Sequence, residues 1–248
     1  MDNSFARDSI TGFLEKLGSG APTPGGGAAA ALSSAQGASL LMMVANHTIG
    51  KARYSEFEDL NTIVRDEAEV LRDRFIKGID NDAEAFLKVS KAFGMPKSFS
   101  DIQIDRVSAA IEELRAAGAE ISDIDEEEGM TAELMDQIEE GLIKVRSDAI
   151  GRASVEAAEA PLSIMEDSLT ALRLAGSMKG RSNPNLESDI LVAALCLQAG
   201  LISAGFNVDA NLPAIRKRDP QLAQSMESRA ESMRAEAARL TREITGRD

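Results

Sequence analysis

Hydrophobic positions recur along this chain at intervals of three and four over most of its length. The clearest run lies between Tyr54 and Phe93, where Leu60, Ile63, Val64, Ala68, Leu71, Phe75, Ile79, Ala83, Phe86, Leu87 and Val89 repeat near the helical period. That spacing predicts one long amphipathic helix, ended by Gly94 and Pro96. A shorter helix is predicted within Met1–Leu17, with Phe5, Ile10, Phe13, Leu14 and Leu17 largely on one face and Gly18 and Gly20 as its stop. Ala28–Val44 differs: small apolar residues fill nearly every position, the pattern of a helix buried on all sides. Val107, Ile111 and Leu114 predict a short helix stopped by Gly118. Thr131 opens another, running through Leu134, Ile138, Ile150 and Ala158 to Pro161, which kinks or breaks it; the pattern then resumes from Leu162 to Ala175. Gly180–Asp189 reads as a polar loop, Ile190–Phe206 as a strongly apolar helix, and Asn207–Asn211 as an interruption. Asp219 and Pro220 begin the last helix. Its stripe of Leu222, Met226, Met233, Ala237, Leu240 and Ile244 suits packing along a bundle or at a subunit interface.

Composition agrees with this pattern. The chain has 248 residues, 44% of them hydrophobic but only 4% aromatic. Alanine, leucine, glutamate and arginine lose little on entering a helix, and few runs of β-branched residues mark strands. The expectation is an all-α, single-domain antiparallel bundle with long helices. A net charge of −14 argues against nucleic acid as a partner. The excess is local: between Lys97 and Leu142 there are roughly fourteen acidic residues against three basic ones. That segment is either a solvated face or a partner-binding surface. The single cysteine, Cys196, excludes an intramolecular disulfide and reads as a buried structural thiol. With one histidine and no C-x-x-C, neither a zinc site nor another metal site is expected. No basic start or compact apolar signal core is present at the N-terminus. Ser33, Ser34, Gln36 and Ser39 make Ala28–Val44 too weakly apolar for a membrane span, so a cytoplasmic protein off the membrane is expected.

Candidate chemistry lies in the polar positions at the breaks. Thr23 suits an N-cap and Pro24 a first helical position. Gly25, Gly26 and Gly27 then make sense only if the backbone passes close to something, either a neighbouring helix or a ligand against free N–H groups. At the far end of the Ala-rich run stand Asn46, His47, Thr48, Lys51 and Tyr54. Asp82 shares a helix face with the apolar Phe86. Asn183, Asn185, Ser188 and Asp189 lie in the next break, and Asn207 and Asn211 in the last. Polar groups on facing helices build bundle sites, so these breaks are expected to converge on one cleft.

Taken together, five motifs resemble the cyclodeaminase/cyclohydrolase family. They are P-T-P-G-G-G-A-A-A at Pro22–Ala30, M-V-A-N-H-T-I-G-K-A-R-Y at Met43–Tyr54, D-x-E-A-F at Asp82–Phe86, N-P-N-L-E-S-D at Asn183–Asp189, and N-V-D-A-N at Asn207–Asn211. Two features depart from it: His47, where the family pattern has an apolar residue, and the acidic segment at about 97–142, longer than the matching connection. The resemblance implies a helical homodimer with a folate cleft near the interface, a substrate that carries a polyglutamyl tail in some forms, and no tightly bound cofactor. It implies hydrolysis of 5,10-methenyltetrahydrofolate to 10-formyltetrahydrofolate first. Cyclisation of formiminotetrahydrofolate with loss of ammonia comes second. The acidic segment and His47, the two departures, favour a reading from another class, a non-catalytic helical interaction module. Asp189, then Asp82, are the expected bases for a cationic methenyl carbon, with Lys51 assisting. Thr23, Pro24, Gly25, Gly26, Gly27, Asn46, Tyr54, Asn183, Asn185, Ser188, Asn207 and Asn211 are the expected substrate contacts. Arg53 and Arg216–Arg218 are the positive charge for the folate tail.

Overall fold

A computed structural model describes residues 4–103, 106–124 and 129–246, and its elements are all helical. Seven α-helices follow in order among the described residues: α1 Ile10–Leu17, α2 Gly26–Asn46, α3 Glu58–Phe93, α4 Val107–Ala116, α5 Ala132–Met178, α6 Glu187–Arg218 and α7 Pro220–Thr245. Helix α2 is the axis. It packs against α3, α6 and α5, and α7 closes the outside against α6 and α5. Ala28, Ala31, Ala38, Leu41, Val44 and Ala45 on α2 are fully buried. Small side chains let its neighbours come close. A Cβ on Gly200 of α6 would stand 2.0 Å from Ser34 Oγ, and the Ser34 and Ser168 hydroxyls bond at 2.8 Å where α2, α5 and α6 meet. By length and composition alone, Gly26–Asn46 and Pro184–Arg218 are apolar enough to cross a bilayer. Here the two helices pack on each other, which buries much of α2, while Val192, Leu195 and Phe206 of α6 stay exposed.

Within the acidic segment, two of the described helices pack on each other. Val107, Ile111 and Leu114 of α4 meet Leu134, Ile138 and Leu142 of α5 in a second small core. Thr131 caps α5 as its spacing predicts, accepting from the Leu134 N–H at 3.2 Å. Arg115 ties down the intervening chain by donating to the carbonyls of Ile121 at 3.0 Å and Ser122 at 2.7 Å.

Several local expectations are corrected. The N-cap of α2 is Gly25, not Thr23, and Pro24 is a buried residue after a cis Thr23–Pro24 peptide bond. Ala52–Phe57 forms a 3-10 turn before α3 begins at Glu58. Helix α5 passes through Pro161 unbroken, since Ala158, Leu162, Met165 and Leu169 are buried on both sides of it. Asn207–Asn211 is no interruption: α6 runs through it and through Pro213, because Val208, Leu212 and Ile215 keep core spacing. Packing overrides the turn preference of Asn and Asp there. Only Phe13 of α1 is buried, while Ile10 is 81% and Leu14 54% exposed. Cys196 is half-buried rather than enclosed, and burial raises its thiol pKa.

Candidate functional site at the two ends of the central helix

The N-terminus of α2 enters between α3 and α6, and three elements meet there. Asp82 of α3 is half-buried and accepts the Ala28 N–H at 3.0 Å through Oδ2. Its carboxylate fills the space that a side chain on residue 27 would need: a Cβ on Gly27 would stand 1.9 Å from Oδ1. The bare backbone is what lets an acid sit against a helix N-terminus, where the dipole favours negative charge. Burial nevertheless dominates and raises the Asp82 pKa, with the Ala28 N–H opposing it. The result is a carboxylate more basic than an exposed one, suited to taking a proton. From the other side, the Asn207 amide lies next to Gly26, 3.8 Å from where its Cβ would be. Asn207 Nδ2 donates to Ser203 O at 3.0 Å, which leaves Oδ1 to accept. Asn211 Nδ2 donates to Asn207 O at 2.9 Å and to Ala157 O at 3.5 Å. Ala157 is four residues before Pro161, whose missing N–H frees that carbonyl. Asp80, two residues from Asp82, has a different task. It accepts from Ser4 Oγ at 2.6 Å and from the Phe5 N–H at 2.7 Å, pinning the N-terminal turn to α3.

The C-terminal end of α2 carries a second polar knot. Thr48 is buried, donates to Val44 O at 2.8 Å and accepts the Asn183 N–H at 3.0 Å. Asn183 Oδ1 in turn accepts from Tyr54 Oη at 2.9 Å and from the Asn185 N–H at 3.2 Å. Arg53 lies 4.7 Å above the Tyr54 ring. A hollow of about 280 Å³ opens here between Arg53, Tyr54, Phe57, Asn183 and Glu187. Lys51, Asn46, Asn185 and Ser188 are exposed around this end, and Asp189 is half-exposed in the first turn of α6. His47 is exposed at the C-cap of α2.

The predicted site residues therefore fall into two groups within one chain, not one cleft. Thr23, Pro24, Gly25, Gly26, Gly27, Asp82, Asn207 and Asn211 gather at the start of α2. Asn46, Lys51, Tyr54, Asn183, Asn185, Ser188 and Asp189 gather at its end. With 21 residues in α2, the groups lie about 30 Å apart. Asn61 went unnoticed in the sequence. It is fully buried beside the second group and donates to Phe57 O at 2.8 Å and to Arg181 O at 2.9 Å, while its Oδ1 has no partner among the described residues. An amide on the face of Val64, Ala68, Leu71 and Phe75 was the available signal.

Among the described residues, no group of three or more His, Cys, Asp or Glu side chains is placed to hold a metal ion. The class defined by this fold and these sites is an all-α bundle whose polar groups cap both ends of one small-residue core helix. The chain belongs to the formiminotransferase-cyclodeaminase family, whose family model matches residues 9–122 and 127–232. It is 33% identical over 238 residues to a methenyltetrahydrofolate cyclohydrolase of Methylorubrum extorquens, covering 96% of this chain and 94% of that protein. It is 37% identical over 106 residues to a formimidoyltransferase-cyclodeaminase of Dictyostelium discoideum, of which the match covers 19%. Its fold matches a solved structure of formiminotetrahydrofolate cyclodeaminase from Thermotoga maritima with a TM-score of 0.73 at 22% identity, over 97% of this chain and 95% of that one.

Proposed function

We propose that this chain is a cytoplasmic methenyltetrahydrofolate cyclohydrolase, which hydrolyses 5,10-methenyltetrahydrofolate to 10-formyltetrahydrofolate. The observation that carries the reading is Asp82 seated against the bare backbone of Gly27, in a chain that aligns almost end to end with the Methylorubrum cyclohydrolase. The methenyl carbon bridges two nitrogens as an amidinium-like cation. A half-buried carboxylate stabilises that charge and acts as general base. Water oxygen bonds to the methenyl carbon while Asp82 takes one of its protons. The carbon–N5 bond then breaks, N5 takes the proton back from Asp82, and the hydroxyl proton leaves to solvent as the formyl carbonyl forms. The sum is one cation plus water going to the neutral formyl product and one proton. Asn207 Oδ1 accepts from a pterin N–H, and the glycine backbone gives the flat ring room.

The second polar group joins through a homodimer. Val192, Leu195 and Phe206 are 48%, 53% and 66% exposed along one outward face of α6. An antiparallel two-fold pairing on that face lays the start of one α2 beside the end of the other. Lys51, Tyr54 and Asn183 of one subunit then face Asp82 of its partner. Asp189 stands in the same group as Lys51 and serves there as a polar wall.

A cyclodeaminase reading is favoured by one finding, the likeness to the Thermotoga cyclodeaminase and to the formimidoyltransferase-cyclodeaminases. It passes through the same carbon with ammonia as leaving group. The near-ultraviolet absorbance of methenyltetrahydrofolate separates the two. Accelerated loss of the chromophore marks the cyclohydrolase. Its formation from the formimino compound with ammonia release marks the cyclodeaminase. Neither change leaves a non-catalytic helical module.

A further inference from the structure

Asn61 is a polar residue in an apolar register. Asn61, Val64, Ala68, Leu71 and Phe75 repeat at the helical period along the inner face of α3, and all of them are buried. A leucine at 61 would continue the stripe. The amide instead leaves its Oδ1 without a hydrogen-bond partner among the described residues, a cost in stability that an apolar side chain does not carry. Its two N–H groups have definite partners. Nδ2 donates back along the helix to the Phe57 carbonyl at 2.8 Å and across to the Arg181 carbonyl at 2.9 Å.

Those two carbonyls belong to different segments. Phe57 closes the 3-10 turn Ala52–Phe57, which carries Tyr54. Arg181 lies in the connection from α5 to α6, two residues before Asn183. The two segments meet again at their tips, where Tyr54 Oη donates to Asn183 Oδ1 at 2.9 Å. The Asn183 end has an anchor on α2, its N–H on Thr48 Oγ1 at 3.0 Å. The Tyr54 N–H is satisfied inside its own turn, by the Lys51 carbonyl at 2.8 Å. The bridge through Asn61 therefore sets where the Tyr54 turn stands against the Asn183 loop. Tyr54, Phe57, Ser182 and Asn183 wall the hollow at this end of α2, and Asn61 is fully buried behind that wall.

We propose that Asn61 is a positioning residue for the second polar group, its amide clamping the Tyr54 turn to the Asn183 loop so that phenol and amide meet in one geometry. This rests on the reading above, in which that group completes the partner subunit's site. Asn61 acts through Tyr54 and Asn183, and small displacements of such groups cost rate steeply. A buried amide in a core stripe trades stability for a preorganised pair of side chains.

Tyr54 is the only tyrosine and the chain has no tryptophan, so the tyrosine band of the near-ultraviolet circular dichroism spectrum reads this one ring. The test compares the wild type with Asn61→Leu, which keeps the bulk and removes both donors. Asn61→Ser is the second variant: its hydroxyl serves the carbonyl four residues back but is too short to bridge to Arg181. Both should keep a helical far-ultraviolet spectrum, lose most of the tyrosine band and lower kcat/KM for methenyltetrahydrofolate about tenfold. Tyr54→Phe should cost a similar factor, and Asn61→Leu/Tyr54→Phe little more than either alone, since both act on one pair. A double loss equal to the product, about a hundredfold, overturns the clamp, because Asn61 then acts on something other than Tyr54. A tyrosine band that survives Asn61→Leu overturns it whatever the activity, and leaves the folate reading standing. If Asn61→Leu does not fold, Asn61→Ser carries the comparison; loss of the fold in both makes Asn61 a requirement of the core and overturns the proposal. A wild type that neither consumes nor forms the methenyl chromophore, with the band lost in the variants, overturns the folate reading while the clamp stands.

Discussion

Gly27 and Asp82 compete for one volume: a Cβ on residue 27 would stand 1.9 Å from Asp82 Oδ1. The carboxylate keeps its place only because the helix offers no side chain there. Gly27→Ala is expected to displace Asp82 and lower kcat about 100-fold. Alanine gains about 1 kcal/mol of helix propensity over glycine, which offsets part of the displacement, so the circular dichroism spectrum stays helical. Asp82→Asn keeps the shape and removes the base, for a loss of about 10²–10⁴ in kcat. Steady-state assay of both variants decides the point, and unchanged kcat in Asp82→Asn removes Asp82 from the chemistry.

Asp82 also makes a prediction about stability. Burial raises its folded-state pKa above the unfolded value, so the folded state binds the Asp82 proton more tightly. The stabilisation from that proton is complete below the ordinary carboxylate range and is lost as pH rises through the raised value. At neutral pH the wild type carries the cost of a half-buried charge. Asp82→Asn should therefore raise Tm at pH 7, and the gain should vanish near pH 3. Thermal melts across that range check the sign; a variant less stable at pH 7 means the Ala28 N–H outweighs burial.

The two polar groups lie about 30 Å apart along α2, and the proposed dimer joins them in trans. Asp82→Asn and Asn183→Ala should each lower turnover about 100-fold or more alone. Mixed, denatured and refolded together, half of the dimers are hybrids with one intact site of two, so about a quarter of wild-type activity returns. A mixture that stays inactive places both groups outside a shared site. Leu195→Glu, on the exposed face of α6, should yield monomers by sedimentation and lose turnover with its helical content kept.

The sequence made the helical class and much of the core readable because apolar spacing reports burial directly. The long stripe of α3, the short α4 and the Thr131 cap follow from it. What it could not report was continuity. Asn207, Asp209 and Asn211 carry turn preferences, and Pro161 lacks a donor, yet α6 and α5 pass through them because flanking residues are held in the core. Site geometry suffered for the same reason. Each motif was visible as residue types, but reading Asn207–Asn211 and Asn183–Asp189 as two loops hid that one stands at the start of α6 and the other within it, some 30 Å apart.

Continuity at Pro161 has a testable partner. The proline removes the N–H that would serve the Ala157 carbonyl, and Asn211 Nδ2 approaches that carbonyl at 3.5 Å from the facing helix. Asn211→Ala in the wild type leaves the carbonyl without either donor and should cost about 1 kcal/mol. In a Pro161→Ala background the helix supplies its own donor, so the same change should cost less. The difference, a coupling of about 0.5–1 kcal/mol between two residues that share one acceptor, is read from urea unfolding of the four proteins in the cycle. Additive costs would mean that the Asn211 amide serves only the Asn207 carbonyl, at 2.9 Å, and that α5 tolerates Pro161 through packing alone.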